Sequence, residues 1–451
     1  MLMSRSSLIL AAVALATWSG VAEAQITSRA PRGFRGIFGT RQPTDPLRPH
    51  SDLVFSLNAT GGVDDNVGGG ESVGPPIVGS NNGRGSTSQV DLSLDYRRGT
   101  ATKSFGLATW GSFSNYYGGT TLPNSRSAGV SITGQTDVTR RMGVGGGAHL
   151  NYRSQLPLDL PLVVGEVDPV PTPAGLTGLY DAGSWLVSFD GNAERRWTRR
   201  SSTRLNYTFA TTEFIEGRDG DLRSHQLQAT HRRLFSRTGS IDATYQFSEA
   251  RIGIGDGDPG RPRTEHRAHG GFTVSRRLST TRSLDFSVHG GALYVDATAG
   301  GTDTDYQLWT PFAQASIRAG VFGQWAIETS YERSTQTIPG FAQPETYITD
   351  TVSTSFGGVI GRRMDLVFSG SFATGDVGVE ASRSEYVTSG AAAQFRVSIV
   401  RNLAAVLGYS YYRYRFTDTV LPVGLPSEFD RNAIRVGLTY TLPIYGGDNG
   451  R

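Results

Sequence analysis

The sequence predicts an all-β fold, a transmembrane antiparallel up-and-down β-barrel of about eighteen strands, with roughly sixteen to twenty as the range. Three observations predict it. An apolar run from Leu8 to Trp18 ends in Val21-Ala22-Glu23-Ala24, the pattern of a cleaved secretory signal peptide. No later apolar stretch is long enough for a membrane-spanning helix. From Leu53 onward apolar and polar residues alternate, as in strands with one apolar face.

These patterns divide the chain into four segments. Residues 1–24 are the signal peptide, 25–50 a basic Pro- and Gly-rich periplasmic leader, 51–446 the barrel and 447–451 a C-terminal tail. An exported chain of alternating strands is expected in the outer membrane of a Gram-negative bacterium. A soluble secreted sandwich or propeller is the structural alternative. It would expose Trp, Phe and Leu to water on many strands, which favours the barrel.

The composition excludes several classes of protein. The 451 residues contain no Cys, so disulfides, iron–sulfur clusters and Cys-zinc sites are excluded. A hydrophobic content of 37% is low for a helical membrane protein, whereas 58 Gly suit strands and tight turns. The formal net charge of +3 gives no reason to expect a nucleic-acid partner.

Ten strands show a clear apolar set, which we expect to face lipid because the residues between are polar, charged or glycine. The sets are Leu53, Phe55, Leu57; Val90, Leu92, Leu94, Tyr96; Trp185, Val187, Phe189; Leu205, Tyr207, Phe209; Ile241, Ala243, Tyr245, Phe247; Leu284, Phe286, Val288; Trp325, Ile327, Tyr331; Leu366, Phe368, Phe372; Ala393, Phe395, Val397, Ile399; and Val436, Leu438, Tyr440, Leu442. Segments 222–236, 306–318 and 402–416 show no clear face.

The connections are of two kinds. Short turns carry arginines at Arg97-Arg98, Arg140-Arg141, Arg195-Arg196, Arg232-Arg233, Arg276-Arg277, Arg362-Arg363 and Arg401. Between them lie longer loops at 61–86, 116–127, 154–183, 252–264, 297–305, 334–347, 375–384 and 417–429. This alternation predicts an even strand count with both termini in the periplasm. The arginines are either solvated turn charges or contacts to anionic lipid headgroups.

Two short motifs carry a resemblance to known proteins. Arg435, Gly437, Tyr440 and Leu442 resemble the last-strand signal read by the outer-membrane insertion machinery, which is therefore an expected partner. The segment Asn58 to Val67, with Asp64-Asp65-Asn66-Val67, resembles the opening of putative outer-membrane β-barrel porins, some of which accompany exopolysaccharide export systems. The resemblance implies a passive pore, and a homo-trimer as the usual assembly. Alternatively, Asp64-Asp65-Asn66 is a polar loop start.

The face opposite the apolar sets is expected to line the lumen. Its predicted charges are Asp91, Asp95, Asp190, Glu194, Asp242, Asp285, Glu328, Glu332 and Asp365, against Arg153, Arg204, Arg396 and Arg435. An excess of acids predicts a preference for cations or neutral solutes. Alternatively, the acids and bases pair across the lumen and cancel. The apolar loop 154–183 is expected to narrow the barrel mouth or to pack on another subunit.

The sequence contains none of the common catalytic or nucleotide-binding motifs. His266 and His269 are three apart on a predicted strand, so their rings face opposite sides and do not share a metal. Asp285 and His289 share one face and are the nearest approach to a catalytic fragment. No catalytic residue, cofactor or metal site is predicted.

The predicted function is a pore for passive diffusion of small hydrophilic solutes, or the barrel of an exopolysaccharide export system. The expected partners are outer-membrane lipid and lipopolysaccharide, the insertion machinery, and solute or polysaccharide. A closed structural or binding barrel that acts through its surface loops is the alternative. An outer-membrane hydrolase is a third reading, for which loss of activity on changing Asp285 or His289 would be the signature.

Overall fold

The computed structural model describes residues 50–65, 84–100, 102–117, 124–154, 183–215, 221–254, 260–279, 282–298, 305–322, 324–337, 346–377, 384–416 and 428–446. The predicted signal peptide, residues 25–49 of the leader, the tail 447–451 and residues 155–182 of the apolar loop lie outside these ranges. No helix in the described ranges is long and apolar enough to cross a membrane.

The described residues form eighteen strands. In chain order they are β1 His50–Asp64, β2 Gly85–Gly99, β3 Lys103–Tyr117, β4 Ser125–Thr139, β5 Met142–Arg153, β6 Ser184–Thr198, β7 Ser201–Phe214, β8 Asp221–Leu234, β9 Gly239–Ile254, β10 Arg261–Arg277, β11 Ser283–Thr298, β12 Asp305–Phe322, β13 Trp325–Thr337, β14 Thr346–Ile360, β15 Met364–Val377, β16 Ser384–Val400, β17 Leu403–Phe416 and β18 Glu428–Gly446.

Each strand pairs antiparallel with its neighbours in sequence, and β1 also pairs with β18, which closes the sheet. The predicted antiparallel up-and-down barrel is therefore confirmed. At the seam, the pairing runs from Asp52 opposite Gly446 to Asp64 opposite Ala433, with a register shift between Leu53 and Val54. This seam joins the first and last strands, so the sheet has no free edge.

Short and long connections alternate around the barrel, as the sequence predicts. Residues 140–141 alone separate β4 from β5, whereas residues 154–183 separate β5 from β6. The start of β1 and the end of β18 both lie at the end of the barrel that carries the short turns. In an outer-membrane barrel this end faces the periplasm.

The two faces of the sheet differ sharply in exposure. On β2, Val90, Leu92 and Leu94 are 40%, 46% and 38% exposed, whereas Gln89 and Asp91, which point to the other face, are each 7% exposed. The side chains therefore alternate between an outer wall and a concave inner wall. The registers place the predicted lipid-facing sets on the outer wall; for example, Leu57 lies opposite both Leu92 and Tyr440.

Candidate functional site: the inner wall of the barrel

The outer wall has the character of a lipid-facing surface. Its exposed side chains include Leu92, Phe368, Leu407 and Val436, from strands spread around the barrel. A water-soluble protein rarely exposes so continuous an apolar surface, and only closed barrels and helices satisfy every backbone group within a bilayer. The barrel lies in the outer membrane. Its inner wall is therefore the surface that a solute in the lumen would meet.

The registers place the predicted lumen residues on this inner wall. Asp91 lies opposite Asn58 and Ser112, Asp242 opposite Gly271, and Asp285 opposite Arg318. The remaining members are on the same face by strand alternation: Asp95, Asp190, Glu194, Glu328, Glu332, Asp365, Arg153, Arg204, Arg396 and Arg435.

Several of these acids are held by partners within the wall. Asp91 accepts hydrogen bonds from Gln89 and Ser112 at 2.6 Å each and from Asn58 at 3.1 Å. Three others form ion pairs with arginines. The pairs are Glu194 with Arg204 at 2.6 Å, Glu328 with Arg318 at 3.5 Å and Asp365 with Arg396 at 2.8 Å. Neighbouring strands therefore neutralise much of the negative charge.

The registers also bring additional charges onto the inner wall. The bases are Arg97, Arg196, Arg232, Arg261, Arg263, Arg267, Arg277, Arg318 and Arg431, and the acids are Asp52, Asp64, Asp137 and Glu265. The excess of nine acids over four bases counted in the sequence therefore does not hold for the described wall. The expected preference for cations loses its basis, because positive side chains line the same surface.

A charged cluster lies on β10. Glu265 accepts from Arg263 and from Arg267, each at 3.1 Å, and the side chains of the three residues are only 10%, 11% and 14% exposed, respectively. The two arginines share the carboxylate of Glu265, and a second carboxylate, that of Glu332 on β13, interacts electrostatically with Arg267. These paired, largely buried side chains form part of the wall and do not extend into the lumen.

Aromatic and histidine side chains continue this cluster along the wall. The guanidinium of Arg267 lies 4.8 Å from the ring centre of Phe312, whose ring lies 4.8 Å from that of His269. His269 meets His289 edge-on at 6.0 Å. His289 Nε2 contacts Asp242 at 3.3 Å. We call this chain of contacting side chains the β9–β12 relay. Its members, in order of contact, are Arg263, Glu265, Arg267, Phe312, His269, His289 and Asp242.

The relay gives His289 a different partner from the one that the sequence suggests. The acid in contact with His289 is Asp242 on β9, whereas Asp285 accepts a hydrogen bond from Ser275. His266 faces the outer wall, where its Nδ1 bonds to the Tyr245 hydroxyl at 2.8 Å, and His269 faces inward. The described residues hold no group of three or more His, Cys, Asp or Glu placed to bind a metal ion.

An apolar patch borders the relay. Leu293, Val295 and Ala297 on β11 face inward, with Leu308 of β12 packed against them, and are 1%, 0% and 7% exposed. They lie directly opposite Arg267, Glu265 and Arg263, respectively. The methylene stems of arginines commonly cover such a surface while the charged heads reach polar partners. Because these apolar side chains are almost fully covered, a solute in the lumen would meet the charged and polar side chains around the patch and not the patch itself.

The predicted insertion residues lie on β18, divided between the two walls. Arg435 and Gly437 face inward, and Tyr440 and Leu442 face lipid. The strand continues past them to Gly446, paired with β1. Their recognition by the insertion machinery stays a prediction.

No family model and no curated protein matches this chain. Among solved structures, it is similar to Pseudomonas aeruginosa OpdL, with 11% identity, a TM-score of 0.47 and coverage of 88% of this chain and 99% of that chain. It is also similar to a BenF-like porin from Pseudomonas fluorescens Pf-5, with 12% identity, a TM-score of 0.45 and coverage of 87% and 99%. A third similar structure is Acinetobacter baumannii OccAB4, with 10% identity, a TM-score of 0.45 and coverage of 88% of this chain and 100% of that chain.

Arg261 and Arg263 were not predicted to lie on the inner wall because the sequence pattern assigned residues 252–264 to a loop. In the structure, β9 extends to Ile254 and β10 begins at Arg261, so Arg261 and Arg263 belong to a strand. A usable signal was present. Residues 261, 263, 265 and 267 are all charged, and a charge at every second residue is the period of one face of a strand.

Proposed function

We propose that this protein is a passive pore for small hydrophilic solutes across the outer membrane. The observation that supports the proposal most directly is the division of the eighteen-stranded barrel into an apolar outer wall and a polar, charged inner wall. Barrels of about 16–18 strands are wide enough for an aqueous channel, and diffusion through one needs no chemistry from the wall.

We also propose that the pore discriminates weakly by charge. Acids and arginines alternate around the inner wall and pair with one another, so the wall presents local fields of both signs rather than one strong field. The relay would contact solutes that offer hydrogen-bonding or charged groups. Export of polysaccharide and a trimeric assembly stay predictions from the resemblance of Asn58 to Val67.

The experiment is single-channel recording of the refolded mature chain in a planar bilayer, first in symmetric salt and then in a salt gradient. The proposal predicts steady current steps of nanosiemens scale and a reversal potential close to zero. A silent bilayer that contains demonstrably folded barrel would contradict the pore and favour the closed binding barrel. Steady steps with a strong cation reversal potential would contradict only the weak selectivity.

A further inference from the structure

A groove crosses the lipid-facing wall between β7 and β11. Its volume is about 550 Å³, within the roughly 300–1,000 Å³ range in which proteins hold one small ligand. The floor is formed by residues with small side chains or none, which are Ala229, Ala243, Ala268, Gly270 and Gly290. Tyr245, which is 47% exposed, stands at its side. The groove is therefore a depression in an otherwise bulky apolar wall.

The groove begins near the periplasmic end of the barrel. Thr203 and His231 lie opposite each other close to the short turns, and from them the groove rises across the strands to Gly290, midway along β11. His231 is held there by hydrogen bonds between its Nε2 and the Ser201 hydroxyl, at 3.2 Å, and between its Nδ1 and the Thr203 hydroxyl, at 3.0 Å. An occupant would thus have one end at the polar boundary and the other within the hydrocarbon.

Two exposed arginines lie near the periplasmic end of the groove. Arg233 lies on the outer wall two residues beyond His231, opposite Ser201, and Arg200 lies in the adjoining turn. Trp197 and Phe235, 47% and 55% exposed, mark the interface at this depth. On the described outer wall of β6–β9 from this end up to Tyr207 there is no acid. The site is therefore cationic where the groove opens.

We propose that this groove binds one anionic phospholipid of the periplasmic leaflet, with its phosphate between Arg233 and Arg200 and an acyl chain on the floor from Ala229 to Gly290. Charge and shape agree: a phosphate suits two guanidinium groups, and an acyl chain suits a narrow apolar groove. This site does not rest on the proposed pore, because it lies on the opposite face of the wall.

A second copy of the chain fits this groove less well. Every copy inserts with its short turns at the same depth, so arginines of one barrel would face arginines of another at the level of Arg233. Like charges in contact oppose association. A phospholipid supplies the opposite charge at that depth.

The test is native mass spectrometry of the detergent-purified protein titrated with phosphatidylglycerol and, separately, with zwitterionic phosphatidylcholine. We expect one phosphatidylglycerol molecule to bind tightly to each protein molecule and phosphatidylcholine to bind more weakly. Arg233→Gln and Arg200→Gln should each weaken phosphatidylglycerol binding by about fivefold, the effect of one interfacial cation. Ala268→Leu, which fills the floor, should remove the bound lipid while both arginines remain.

Two control variants separate the site from general effects on the wall. Arg98→Gln removes an exposed outer-wall arginine at the periplasmic end of β2, and Ala391→Leu enlarges an outer-wall residue on β16. Both should bind lipid like the unaltered protein. Equal binding of the two lipids, or equal effects of site and control variants, would overturn the proposal. So would an oligomer that Ala268→Leu converts to monomer, which would assign the groove to a second copy.

Discussion

At the scale of single residues, a buried ion pair joins Asp64 of β1 to Arg431 of β18. Both side chains are 1% exposed, and the guanidinium donates to Asp64 Oδ2 through Nε and Nη2. Next to it, Asp65 accepts from the Asn432 backbone at 2.6 Å and from its side chain at 2.7 Å. Two consecutive acids therefore fasten the last strand to the first.

We predict that Asp64→Asn destabilises the barrel, because it leaves the buried Arg431 guanidinium without a counter-charge. Breaking a buried pair from one side costs roughly 3–5 kcal/mol of the free energy of unfolding. The measurement is urea unfolding in lipid vesicles, followed by loss of the heat-modifiable band on a gel. Glu428→Gln, on β18 like Arg431, is the matched control: it breaks the exposed pair with Arg413 of β17, where water screens the charges, and should change stability little.

The role of Asp64 could be predicted only in part from the sequence. The motif Asp64-Asp65-Asn66-Val67 is noticeable as a resemblance and as a polar loop start, and both readings place it at a strand end. Its partners Arg431 and Asn432 are more than 360 residues away. Nothing in local spacing indicates a contact between the two ends of a chain until the closure of the sheet is known.

At the scale of strands, β8 and β17 show why some faces could not be assigned. On β17, Tyr412, Tyr414 and Phe416 face inward and are buried, while Leu407 and Tyr409 face lipid. Both faces of this strand are therefore apolar. On β8 the reverse occurs, because His225, His231 and Arg233 lie on the lipid-facing wall. Period-two analysis needs one apolar face, and these strands have two or a polar outer face.

The closing strand also carries a glycine with a structural requirement. A Cβ at Gly437 would collide with the Ala59 carbonyl oxygen and with Thr60, both on β1. This close approach gives Gly437 a physical role in the seam, whether or not it also belongs to an insertion signal.

We predict that Gly437→Ala lowers the yield of folded barrel on refolding into pure lipid vesicles, with an overpacking cost of about 1–3 kcal/mol. The comparison is Gly408→Ala on β17, where a Cβ would lie at an ordinary contact distance of 4.0 Å from the Ala393 oxygen. If Gly437→Ala refolds like Gly408→Ala in lipid but fails in cells, the glycine serves recognition and not packing.

At the scale of the whole molecule, the strand count, antiparallel order and outer wall follow from the sequence, because a period of two and alternating loop lengths are local signals. The electrostatic balance of the lumen does not. It depends on strands such as β10, whose boundary was set a few residues too late, so that Arg261 and Arg263 were left out of the wall. Net lumen charge is a difference between similar numbers and is sensitive to such errors.

We predict that Glu265→Gln shifts the pore toward anions, because Arg263 and Arg267 would keep their charge without a shared carboxylate. The anion-to-cation permeability ratio should rise on the order of twofold at 0.15 M salt, where charges act over about 8 Å. Reversal potentials in a salt gradient measure it. Glu249→Gln is the control, because Glu249 lies on the outer wall beside Arg251 and its loss should leave the ratio unchanged. If both variants shift the ratio equally, the relay does not line the path of the conducted ions.

The seam between β1 and β18 has a consequence for how such a protein is built and varied. All other pairings join consecutive strands, so each hairpin can form as its own segment arrives, and only the seam must wait for the last strand. Until then the two outermost strands offer unpaired backbone to any other chain. The same layout means that a whole hairpin can be duplicated or deleted during evolution without rearranging the other strands. The condition is that Asp64 and Asp65, which join the first strand to the last, are kept.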